Sequence, residues 1–164
     1  LLAACGLDPL ARLPWVLPWC LRYQLPDGGL NCDEAAYTRP APRSSVVSTL
    51  PLLEAVLRLA PAAPGAGAFL DRGAEYLLAR RLWRSLSRGG APIHEGWLKP
   101  SFPRYYHYDV LRGLRFLVGW AEARGRRLPE EAVAEARDAL DGARVAGQLR
   151  PGRRPCEGAR TRVL

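Results

Sequence analysis

An all-α fold is predicted by three features of the sequence. Apolar residues recur at helical spacing in several stretches, proline and glycine clusters separate those stretches, and no run alternates with the period of a strand. The chain of 164 residues is 48% hydrophobic and 24% charged. That is one domain by length, with enough apolar sequence for a real core.

Asp8-Pro9 has the chemistry of a helix start, an acid at the cap and a proline at the first helical position. Apolar residues follow to Leu21, but Pro14 and Pro18 oppose one regular helix, because an interior proline costs ~3 kcal/mol. A broken or late-starting helix ending near Tyr23 or Gln24 is expected. Residues 25–43 read as a loop. Asp27-Gly28 and Gly28-Gly29 are turn dipeptides within it, since glycine adopts positive φ without steric cost.

Ser44 and Ser45 offer caps for a helix whose face holds Leu50, Leu53, Val56 and Leu57. Thr49-Leu50-Pro51 is a second available start, and Pro61 and Pro64 close the element. The clearest helix spans 67–87, with Leu70, Ala74, Leu77, Leu78, Leu82 and Leu86 on one stripe. Gly89-Gly90 ends it. Ala91 to Pro103 reads as a loop, in which His94 and Glu95 are solvated. A further helix starts around Arg104 or Tyr105, has Val110, Leu111, Leu114, Leu117, Val118 and Ala121 as its expected buried face, and stops at Gly125. Pro129-Glu130-Glu131 opens the last helix, placing acids where the helix dipole favours them, and it runs through Leu140. Pattern is lost beyond Gly142. Residues 1–142 are therefore read as a helical domain and 143–164 as an arginine-rich, poorly ordered tail. About five or six helices in antiparallel pairs suggest a stack whose units bury their faces on neighbours.

The net charge is +8 and Lys99 is the single lysine among 24 basic residues. Arginine without lysine, beside abundant Ala, Gly and Pro, reads as a coding bias, so nucleic acid is discounted as a partner. A basic tail binding an anionic partner is the competing use of the final arginines. No run approaches the roughly 20 apolar residues of a membrane-spanning helix. The protein is read as soluble, cytoplasmic and not transmembrane. With no methionine and Leu1 at its start, the natural N-terminus is expected to lie upstream. Four cysteines without a CxxC pair argue against a disulfide framework or a zinc finger, and make Cys5 and Cys20 buried thiols by default.

Two stretches carry a resemblance. Trp19 precedes Gln24-Leu-Pro-Asp-Gly-Gly-Leu-Asn-Cys-Asp33, and Ser101-Phe-Pro-Arg-Tyr-Tyr-His-Tyr-Asp-Val-Leu-Arg-Gly-Leu114 follows later. The first is similar to the aromatic, then Gln-x3-Gly-x-Trp, repeat of terpene cyclases and protein prenyltransferases, with Leu30 where the tryptophan stands. Together the two resemble the bacterial prenyltransferase-like, squalene-cyclase-like repeat proteins over residues 8–142. The resemblance implies a partial α/α toroid, an arc of antiparallel helix hairpins around an apolar cavity. It implies an isoprenoid or other apolar small molecule as ligand, and self-association to complete the ring.

What the resemblance implies for chemistry is partial. The acid-rich Asp-x-Asp-Asp cluster of squalene protonation has no counterpart here, and no catalytic residue is assigned. Protein prenyltransferases hold zinc with an Asp-x-Cys pair and a histidine preceded by tyrosine. The corresponding candidates are Cys32, Asp33 and His107, with the thiol and carboxylate adjacent instead of spaced by one. A thiolate, a carboxylate and an imidazole form a three-ligand zinc set that leaves a fourth position open, and Asp109 is a candidate to orient His107. The alternative makes Cys32 a buried thiol, Asp33 a cap and His107 a polar residue near a helix start. Trp97, Tyr105, Tyr106 and Tyr108 are the cavity-lining candidates, their π faces suited to cationic intermediates. The competing functional reading is a non-catalytic helical-repeat module that binds a protein or lipid partner.

Overall fold

The computed structural model describes residues 5–154. Secondary structure is mostly α-helical, and the only sheet among these residues is a two-stranded hairpin. The chain divides into two compact units. One holds the chain as far as Tyr76 together with Glu122–Arg124. The other holds Leu77–Ala121 and the chain from Gly125 onward.

In the first unit, α1 (Pro9–Arg12) is capped by Asp8, whose Oδ1 accepts from the Leu10 and Ala11 amides at 2.9 and 3.1 Å. α2 (Val16–Arg22) tolerates Pro18 because the proline sits in its first turn, where amide hydrogens have no partner within the helix. It ends at Arg22 with Tyr23 as its C-cap, close to the end the sequence predicts. The expected loop 25–43 contains one short helix, α3 (Ala35–Thr38). α4 (Val46–Leu59) uses the earlier of the two starts, since Ser45 Oγ accepts from the Ser48 amide, and it continues through Pro51. The first part of α5 (Ala66–Ala79) packs very close to α4. A Cβ on Gly73 would lie 2.2 Å from a Leu53 methyl, so a larger residue there would have to displace the Leu53 side chain. Leu30, Leu50, Leu53, Phe69, Leu70 and Ala74 form this unit's buried core. Arg124 forms a bidentate pair with Asp71 at 3.0 and 2.9 Å.

The second unit begins with a correction. The stripe predicts a helix to residue 87, yet α5 stops at Ala79. Leu82 N donates to Leu77 O and Arg81 N to Leu78 O, the paired bonds of a Schellman stop. Arg81 takes the left-handed position at φ 46° without being a glycine. Leu82 remains on the buried stripe, whereas Leu86 is 55% exposed. Short 3-10 turns follow at Leu86–Arg88 and Glu95–Leu98. α6 (Val110–Arg124) begins five or six residues later than the sequence predicts, and Gly125 closes it at φ 60°. α7 (Glu130–Gly142) has its predicted acidic first turn.

Beyond Gly142, where no pattern was expected, β1 (Arg144–Val145) and β2 (Gln148–Leu149) pair antiparallel around Ala146-Gly147. Both turn residues have positive φ, at 50° and 78°, as a two-residue hairpin turn requires. Arg153 then lies beside Ser101, and Phe102 N donates to its carbonyl. The rest of the arginine-rich tail lies outside the described residues.

Candidate functional site

The first stretch of resemblance folds into a stapled turn. Leu25 N donates to Gly29 O and Gly28 N to Leu25 O, which closes the Pro26-Asp27 turn. Gln24 Nε2 donates both to Gly28 O at 2.8 Å and to Phe69 O at 2.9 Å, tying the turn to α5. Arg72 adds a second tie through Leu25 O at 2.7 Å. Gly28 has φ 89°, and a Cβ there would stand 2.3 Å from Arg72 O. A side chain is therefore excluded twice, by conformation and by space. Thr49 Oγ1 accepts from Leu30 N at 2.8 Å and donates to Leu30 O at 3.1 Å, and Leu30 is fully buried.

Asp33 accepts from Ala35 N at 3.0 Å at the start of α3 and lies 4.0 Å from Arg39, with its side chain 58% exposed. The bond to Ala35 N is a local Asx turn ahead of the helix, whose cap position is Glu34. Cys32 is exposed, which corrects the reading of it as a buried thiol, and Cys5 is exposed too. Cys20 is buried as expected, and desolvation raises its thiol pKa above the ordinary value. His107 belongs to the second unit and stacks on Tyr106, with ring centroids 4.3 Å apart. Among the described residues no three His, Cys, Asp or Glu side chains gather as a metal site.

Asp109 is the second correction. It does not orient His107 but caps α6, its Oδ1 accepting from Arg112 N at 2.9 Å. Its Oδ2 accepts from Ser101 N at 2.9 Å and Ser101 Oγ at 2.8 Å, with Arg104 Nε 3.4 Å away. The carboxylate is fully buried and fully satisfied. This cap explains the late start of α6: the chain from 101 to 109 is occupied in folding back to it.

The four aromatic candidates separate into two pairs. Trp97 and Tyr108 are buried edge to face, 4.5 Å between centroids, and Tyr108 donates to Leu82 O at 2.7 Å. They are core residues. Tyr105 and Tyr106 are 68% and 71% exposed, and Phe102 beside them is 69% exposed. Pro103 is exposed as well. Four of the five residues 102–106 thus present apolar or aromatic surface to solvent, which a chain does not do for stability.

Their base is fixed. Besides Asp109 and Ser101, Arg112 Nη1 donates to Tyr106 O at 3.1 Å and Arg153 Nη2 to Tyr108 O at 2.7 Å. Composition alone draws attention to the tyrosines. It gives no sign that Arg153 returns to hold the loop, because the contact spans 45 residues.

A second polar cluster is structural. Glu135 on α7 accepts from Arg81 at 3.0 Å, Trp83 Nε1 at 3.1 Å and Arg84 Nε at 2.8 Å. These bonds, led by Arg84, hold its carboxyl pKa below the ordinary value despite partial desolvation. Among the described residues no helix is long and apolar enough to cross a membrane. No family model, curated protein or solved structure matches the chain.

Proposed function

We propose that this chain is a non-catalytic helical-repeat binding module, an arc of helix hairpins that meets its partner through the 102–106 loop. One observation carries the reading: three aromatic rings stand about two-thirds exposed on a loop whose base is held by a buried carboxylate and two arginines. Exposed aromatic residues on a fixed backbone lose little conformational entropy on binding, which suits them to contact surfaces. The duties of the other candidates support it. Asp109 caps α6, Asp33 closes a local turn, Trp97 and Tyr108 are core, and the Gln24–Leu30 turn is a staple.

The test is a titration with the amphiphilic dye 1-anilinonaphthalene-8-sulfonate. Saturable fluorescence enhancement is expected, and is expected to vanish in the variant Phe102→Ser/Tyr105→Ser/Tyr106→Ser. Equal enhancement in that variant would refute the loop as the contact surface. The resemblance to prenyltransferase- and cyclase-like proteins supports a second reading, an isoprenoid-binding protein. Farnesol that displaces the dye stoichiometrically would favour that reading over a macromolecular partner.

A further inference from the structure

We propose that the 102–106 loop is the apolar tip of a surface that docks on an anionic lipid bilayer without spanning it. The proposal rests on the binding-module reading and names the partner. Its ground is the juxtaposition of exposed rings with cations and with no exposed acid in the same segments. Lys99, Arg104, Arg112 and Arg115 lie in the stretch that bears the loop. Arg150, Arg153 and Arg154 lie in the segment that pairs with it, through Phe102 N to Arg153 O and Gly152 N to Pro100 O. Across 99–115 and 150–154 the sole carboxylate is Asp109, which is buried and held by Ser101, Arg104 and the α6 amide of Arg112. Among the described residues the nearest exposed acid along the chain is Glu95, on the preceding turn.

The hydrogen bonds place two of the cations against the backbone at the C-terminal end of the loop. Arg112 and Arg153 reach the carbonyls of Tyr106 and Tyr108, so their guanidinium groups lie at the base of the loop. Phe102, Pro103, Tyr105 and Tyr106 are its exposed part. An apolar tip above a cationic base matches the layering of a bilayer interface. Tyrosine and phenylalanine rings enter the boundary between headgroups and acyl chains, while arginines remain level with the phosphates. The guanidinium fork suits phosphate oxygens, and its weak hydration eases entry into the headgroup layer. An acidic peptide would satisfy the arginines but offer nothing to the rings. Single-stranded nucleic acid needs a track of rings along a strand, whereas here the rings fall within five residues of one loop.

The experiment is co-sedimentation of the full chain with vesicles of phosphatidylcholine alone, or with about a third phosphatidylserine. Binding to the anionic vesicles only, weakened by salt, is expected. The variant Phe102→Ser/Tyr105→Ser/Tyr106→Ser should lower that affinity by about tenfold or more. Arg150→Gln/Arg154→Gln should lower it by about thirtyfold. All five residues are exposed, so both variants should fold, and circular dichroism checks that they do. No binding, equal binding to neutral vesicles, or unchanged binding in either variant would overturn the proposal. Release from anionic vesicles by an oligothymidine strand that binds the same loop more tightly would overturn it in favour of nucleic acid. Dye binding that still depends on the three rings, without vesicle binding, would sink the lipid surface and leave the binding module standing. Loss of both would remove the reading beneath it.

Discussion

Two loops carry the sequence's most distinctive residues, and they are built for opposite ends. The Gln24–Leu30 turn faces inward. The Leu25, Gly28 and Leu30 amides, the Gln24 side chain and the Leu30 side chain are committed to backbone or core partners, and a Cβ on Gly28 would meet the Arg72 carbonyl. The 102–106 loop is committed only at its base, and it leaves three rings in solvent. Distinctive residues in the first are distinctive because the backbone demands them. In the second, the backbone would accept serine at the same positions. The proposed division into a stabilising turn and a binding loop rests on what each side chain touches.

Substitutions can break or sharpen that contrast. The largest effect is expected from Gly28→Ala. The new methyl meets a carbonyl at 2.3 Å in a left-handed conformation, and a loss of about 3 kcal/mol or more in urea unfolding should result. A variant as stable as the parent would mean the turn is not held as described. Asp109→Ala is expected to cost about 3 kcal/mol, because it strands buried Ser101 donors, the Arg104 charge and the α6 cap together. Gln24→Ala should cost about 2 kcal/mol, leaving the Phe69 and Gly28 carbonyls without their shared donor.

The smallest effect is pH-linked. Glu135 has a folded pKa below its unfolded value, so its contribution is present above the ordinary carboxylate pKa. That contribution is lost as pH falls through the folded one. Glu135→Gln should therefore lower the melting temperature at neutral pH and narrow its gap to the parent in acid. A gap independent of pH would contradict the arginine pairing.

The helices were legible where a local signal marks each end: Asp8 and Ser45 as caps, Pro129-Glu130-Glu131 as a start, and Gly125 as a stop. Two boundaries were not. Arg81 closes α5 in a position that sequence reading assigns to glycine, and Leu82 and Leu86 prolong the apolar stripe past the true end. Asp109 caps α6 inside a run of aromatic residues that itself has helical spacing. The hairpin at 144–149 is too short for any period to show.

The site was legible in part. Tyr105 and Tyr106 attract notice as residue types, but only burial separates them from Trp97 and Tyr108. A turn residue and a metal ligand are the same residue in a sequence, so Asp33 could not be assigned until Ala35 N and Arg39 were placed around it.

The most direct test sets the two loops side by side: urea unfolding and dye titration of Gln24→Ala against Phe102→Ser/Tyr105→Ser/Tyr106→Ser. Gln24→Ala should unfold earlier and, while folded, bind dye as the parent does. The triple variant should keep the parent's stability to within about 0.5 kcal/mol per site and lose the dye. A triple variant that unfolds early yet still binds would contradict the division between a stabilising turn and a binding loop.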